Sequence, residues 1–98
     1  MNIQAMMKQA QQMQKDMMAA KTEIDNTIFE KKTSFLKIEM NGKKEIITVK
    51  IDVDKIESDE IEILEDLIQV TINELNKKID RETENKLGKF TKGMPGLF

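Results

Sequence analysis

The chain has 98 residues, 39% of them apolar and 35% charged, with a formal net charge of −2; that is room for one small domain with a core of limited size. It contains no cysteine or histidine, which excludes disulfides, a thiolate nucleophile, an imidazole base and the usual zinc site, and no cofactor is expected. No stretch nears the roughly eighteen apolar residues of a membrane span, and the Gln, Lys and Asp among the first methionines, without any Arg, fit neither a secretory leader nor a transit peptide; a cytoplasmic protein is expected.

The first predicted element contains MMKQAQQMQKDMM, Met6 to Met18. Apolar residues recur at Ile3, Met6, Ala10, Met13, Met17, Ala20 and Ile24 in alternating steps of three and four, the seam of a coiled coil. Good helix formers fill the gaps, and there is no internal Gly or Pro. A helix over residues 2–24 follows, roughly 35 Å long at about 1.5 Å per residue.

Next the period changes to two. Residues 35–40 and 45–53 alternate as half-buried strands, the second with Ile47, Val49, Ile51 and Val53 set against Ile46, Thr48, Lys50 and Asp52. Asn41-Gly42 between them reads as a tight hairpin turn, since both residues tolerate positive φ. A weaker strand at 27–32 turns at Thr33-Ser34, completing a three-stranded antiparallel meander with one apolar face.

Ser58 then offers a helix N-cap, with Asp59, Glu60 and Glu62 in the first turn where the helix dipole favours acids. Ile61, Leu64, Leu67, Ile68, Ile72, Leu75 and Ile79 form an apolar stripe, and a helix is predicted over 58–87 with Gly88 as its stop. Residues 88–98, with three glycines and the chain's only proline, read as a flexible tail. The whole is one α+β domain over residues 1–98: helix, meander, long helix.

A strand of six or seven residues spans about 20 Å, so a sheet of such strands cannot cover a seam of roughly 35 Å. The second helix is as long and its stripe also outruns the sheet. Apolar surface left in water costs about 25 cal/mol per Å², and a second copy of the chain is the simplest cover. An intertwined homodimer is therefore expected, with Ile3, Met6, Ala10, Met13, Met17, Ala20 and Ile24 at the interface. Methionine suits such a seam because its unbranched thioether fills irregular gaps; Met7 and Met18 lie off it and are available for other contacts.

Charge is segregated along the chain. Asp52 to Asp66 holds eight acids and one lysine, whereas Lys77 to Phe98 holds six bases and three acids. The acidic run lacks the glycine and terminal Glu of a calcium-binding loop, and the adjacent Glu65 and Asp66 do not face one another on a helix, so neither a metal site nor a catalytic carboxylate pair is expected. The candidate anion-binding bases are Lys77, Lys78, Arg81, Lys86, Lys89 and Lys92, with Lys8, Lys15 and Lys21 on the first helix, Lys8 and Lys15 sharing a face and Lys21 modestly off it. Pairing of Asp80 or Glu84 with Lys77, Arg81 or Lys86 would instead make this a solvated helix surface.

The ordered set formed by MMKQAQQMQKDM, the meander, ILEDLI at Ile63–Ile68, Asn73 and the ending GMPGLF resembles the YbaB/EbfC family of nucleoid-associated proteins across nearly the whole chain. The turn at Lys32-Thr33-Ser34 departs from that pattern in lacking glycine. The resemblance implies an α/β homodimer with paired helices projecting like tweezers. It also implies a bacterial protein of the cytoplasm and nucleoid that binds double-stranded DNA, has no catalytic activity, and serves chromosome organisation or gene regulation. The order helix, hairpins, helix is also similar to a prefoldin subunit, so a holdase chaperone, or a scaffold for a protein partner, is the alternative expectation.

Overall fold

The computed structural model describes residues 2–91; most of the predicted tail lies outside the described residues. The first helix, α1, runs Ile3–Asp25. Its start is set by Asn2, whose Oδ1 accepts from the backbone N–H of Gln4 at 3.0 Å and of Ala5 at 3.4 Å, satisfying donors that the first turn leaves without partners. It ends where Asn26 N–H donates back to Thr22 O and Thr27 N–H to Ile24 O.

Three antiparallel strands follow, β1 (Ile28–Thr33), β2 (Leu36–Asn41) and β3 (Ile46–Ile51), in the order β1-β2-β3. The period-two pattern puts Leu36, Ile38 and Met40 on one face of the central strand, where all are buried. Phe29 lies opposite Met40 on one side, and Val49 and Ile51 lie opposite Ile38 and Leu36 on the other. A register shift between Glu39 and Met40 brings Ile46 opposite Met40. Ile46 therefore takes the position alongside the core row that simple alternation assigned to Ile47.

The hairpin at Asn41-Gly42 is wider than the predicted two-residue turn. Lys44, not glycine, holds the positive φ of 65°. Lys44 N–H donates to Asn41 O and Asn41 N–H to Glu45 O, each at 3.0 Å, closing a three-residue loop of the bulged type. Gly42 serves space instead: a Cβ there would sit 2.0 Å from the backbone oxygen of Ile24, so this glycine lets the hairpin abut the end of α1. At the other turn Ser34 carries a φ of 55°, a conformation that glycine adopts at less cost.

A 3₁₀ turn at Ser58–Glu60 leads into the second helix, α2, Ile61–Thr91. The cap falls one residue before the predicted Ser58: Glu57 N–H donates to Glu60 Oε1 at 3.1 Å, and its carbonyl accepts from Glu60 N–H. Gly88 does not stop this helix. Its propensity deficit of about 1 kcal/mol is outweighed by burial of Leu87 and Phe90 on either side of it, at about 1.5–3 kcal/mol for each side chain.

α2 carries two cores. Leu75 and Ile79, supported by the half-buried Leu64, Leu67, Ile68 and Ile72, pack on Phe29, Leu36, Ile38 and Met40. Farther along, Leu87 and Phe90 pack on Ile24, Met17 and Ala20 of α1. Thr71, fully buried, donates from Oγ1 to Thr33 Oγ1 at 3.0 Å, so the hydroxyl inside the first core is satisfied. The molecule measures 71 × 20 × 14 Å with a radius of gyration of 19.4 Å, against about 13 Å for a compact domain of this length.

Gly42→Ala should lower stability by about 1–3 kcal/mol, the range for overpacking a close contact. Urea denaturation measures it; an unchanged midpoint would show that α1 and the hairpin need not touch here.

Candidate nucleic-acid interface

Lys8 and Lys15 flank a surface depression on α1 together with Gln9, Gln11 and Gln12. Seven residues is nearly two helical turns, so these two lysines share a face about 10 Å apart, and that face lies opposite the apolar seam. Lys21 does not join them. Six residues beyond Lys15 it is rotated by about a third of a turn, and its Nζ pairs with Asp25 Oδ2 at 3.2 Å, which corrects the expectation that it strays only modestly from their face.

A better-formed basic site lies on α2. Lys77, Lys78 and Arg81 line a 430 Å³ cleft with Lys31, Glu74 and Leu75. Lys31 belongs to β1, opposite Ile38, so strand alternation aims it at the helix-covered face of the sheet. Standing on an edge strand, it extends past the core and places its Nζ 3.2 Å from Glu74 Oε2. Three bases from one helix and one from the sheet thus meet around one carboxylate.

Two acids of this region are paired away from the cleft, while Glu82 and Glu84 carry no ion pair among the described residues. Asp80 takes Lys44 at 2.8 Å and Glu23 takes Lys86 at 2.6 Å. Lys77, Lys78 and Arg81 have no ion pair among the described residues. Lys89 Nζ stands 5.0 Å from the centroid of the Phe90 ring, within cation–π range. Lys92 lies outside the described residues. The α1 pair lies on the side of α1 opposite its apolar seam, whereas the α2 cleft lies at the edge of the contact between α2 and β1.

The seam is divided. Ile24 is buried within the chain, with Met17 and Ala20 packed beside it, while Ile3, Met6 and Met13 are 70%, 50% and 49% exposed. A second apolar area opens at the other end of the molecule. α2 packs on β1 and β2, and β3 is left with Ile46, Val49 and Ile51 at 48%, 53% and 40% exposure.

Among the described residues no group of three or more Asp or Glu is placed to hold a metal ion, and no helix is long and apolar enough to cross a membrane. The chemistry on offer is that of lysine ammonium groups and one guanidinium converging on an anion.

Helix, meander and long helix, with a cleft lined by bases on α2, define a small α+β protein. A sequence model of the YbaB/EbfC DNA-binding family matches residues 1–94, and the chain belongs to that family. It is 40% identical to a nucleoid-associated protein of Lactococcus lactis subsp. cremoris (strain MG1363), covering 97% of this chain and 98% of that one. It is also 39% identical to a nucleoid-associated protein of Clostridium novyi (strain NT), over 100% and 90% of the two chains, and 42% identical to one of Oceanobacillus iheyensis, over 99% and 97%.

Sequence reasoning missed Lys31 because a strand residue distant in the chain gives no local sign of facing α2. Glu74→Gln should release Lys31 and tighten DNA binding a few-fold, making log K fall more steeply with log salt by about 0.9 for each cleft engaged. Loss of a half-exposed surface pair should change stability by less than about 1 kcal/mol. Fluorescence anisotropy across a salt series reads both the affinity and the slope; weaker binding by the variant would mean that Glu74 positions the cleft rather than competing for it.

Proposed function

We propose that the chain is a non-enzymatic, nucleoid-associated protein that binds double-stranded DNA as a homodimer, mainly through phosphates, and serves chromosome organisation or gene regulation in the nucleoid. The observation that carries this reading is the cleft where Lys31 joins Lys77, Lys78 and Arg81 with Glu74 as the one carboxylate in its lining. Membership of a DNA-binding family supports it. Lysine is a hydrated point charge without the fork that reads guanine, so contacts with the backbone should outweigh reading of bases. With one arginine and four aromatic residues in the chain, stacking on single strands is poorly supplied.

The dimer part of the proposal rests on the open face at β3. An edge strand presents unpaired backbone groups, and here it also presents the exposed side chains of Ile46, Val49 and Ile51. A second copy set on this face would bury these side chains and lend both sheets the cover that α2 leaves off. The basic clefts on α2 lie well along the helix from this face and would project from either side of the joined sheets.

Replacing Lys77, Lys78 and Arg81 together by Gln should weaken binding to unrelated duplexes while the dimer stays folded. If about 6 phosphates are neutralised per dimer, log K for the unaltered protein should fall with log salt at a slope near −5. Gel shifts at rising salt test both points; a slope near zero would refute phosphate-led binding. Val49→Lys should convert the dimer to monomer by placing a charge in the joined face, as light scattering would show, and a dimer that survives it does not use β3.

A further inference from the structure

Asn41 is the only asparagine in the chain that precedes a glycine. That dipeptide is chemically labile. Glycine has no Cβ to shield its own nitrogen, which can attack the preceding side-chain amide, and asparagine is accordingly a thermolabile residue. The Gly42 nitrogen forms a bond to Asn41 Cγ, its proton passes through water to Nδ2, the bond from Cγ to Nδ2 breaks, and ammonia leaves. Water then opens the cyclic imide at either carbonyl, giving aspartate or isoaspartate.

The folded hairpin restrains both partners of the bond that would form. Asn41 Oδ1 accepts from the backbone N–H of Lys43 at 2.9 Å and of Glu45 at 3.1 Å, and Nδ2 donates to Glu45 Oε1 at 2.8 Å. Both lone pairs of the amide oxygen and one of its two N–H groups are thereby committed. On the backbone, Gly42 is set so closely against Ile24 O that a methyl carbon would not fit. The peptide between residues 41 and 42 therefore has little room to turn its nitrogen onto Cγ.

We infer that Asn41 is a deamidation site held closed by the fold, with Glu45 as its side-chain guard, and that it converts in molecules whose hairpin has opened. Neither product fits back into the loop. Aspartate sets a carboxylate oxygen where Nδ2 now faces Glu45 Oε1, and like charges at that separation repel. Isoaspartate lengthens the main chain by one carbon immediately before Gly42, whose contact with Ile24 has no slack. Conversion is thus a one-way mark: a hairpin that has stayed open long enough to react does not regain its seat on the end of α1.

Mass spectrometry of the protein incubated at mildly alkaline pH, with and without guanidinium chloride, tests this. An intramolecular hydrogen bond is worth roughly two- to tenfold, so loss of ammonia at Asn41 should be slower in the folded chain by about tenfold or more. Glu45→Ala should raise the folded-state rate severalfold, whereas Glu45→Gln, which keeps an acceptor for Nδ2, should stay near the unaltered protein; circular dichroism checks that both are folded. Equal rates with and without denaturant would overturn the proposal. Faster conversion in the folded chain would overturn it too, by showing that the N–H groups of Lys43 and Glu45 act as an oxyanion hole. A second measurement needs no variant. Protein converted in denaturant and returned to buffer should unfold at a lower denaturant concentration than fresh protein, and an unchanged midpoint would refute the one-way mark.

Discussion

α2 is the element on which the rest of the molecule depends, because it is apolar toward two different neighbours in succession. Its stripe from Leu64 to Ile79 covers the sheet, and Leu87 and Phe90 cover the end of α1. Direct approach between α1 and the meander comes at Gly42, where the hairpin lies against the backbone of Ile24. One helix thus serves two small cores, which explains why the chain is a rod rather than a ball. It also explains why Gly88 can sit inside a helix: the residues on both sides of it are held by the second core.

The same division fixes what is left uncovered. A single helix about 10 Å across laid over β1 and β2 cannot also cover β3, whose neighbours on the sheet are about 4.8 Å apart. At the other end α1 extends past Phe90. The two exposed apolar areas are consequences of one helix being shared, and they fall at opposite ends because α1 packs antiparallel to α2.

The helices, the three strands and the apolar face were legible in the sequence because each rests on local periodicity: steps of three and four from Ile3 to Ile24, alternation from Leu36 to Met40. What could not be read was tertiary. Alternation in β3 predicts a buried face but cannot say that the covering helix stops short of it. Asn41-Gly42 signals a turn, yet the glycine is required by an approaching helix and the positive φ falls on Lys44. Gly88 is a stop by propensity alone and is overruled by Leu87 and Phe90. The basic residues on α2 were found from their clustering. Lys31 was not, since it becomes their neighbour only when β1 packs beneath α2, and Lys21 stands about a third of a turn from the α1 pair, bonded to Asp25.

A chain of net charge −2 can still present a usable surface to DNA because its charges act locally. The acidic run ends at Asp66 and the cleft bases begin at Lys77, with Arg81 fifteen residues along the same helix, about 22 Å from Asp66 at about 1.5 Å per residue. At 0.1 M salt the screening length is about 10 Å, so the acids at the start of α2 scarcely lower the potential at Arg81. Of the carboxylates along this part of α2 and beside it, the fold draws Asp80 to Lys44 on the hairpin and Glu23 to Lys86, Glu74 lies in the cleft, and Glu82 and Glu84 carry no ion pair among the described residues. Packing α2 between hairpin and α1 therefore gives Asp80 and Glu23 partners other than the cleft bases. The uncompensated charge at Lys77, Lys78 and Arg81 is as much a product of the fold as of the composition.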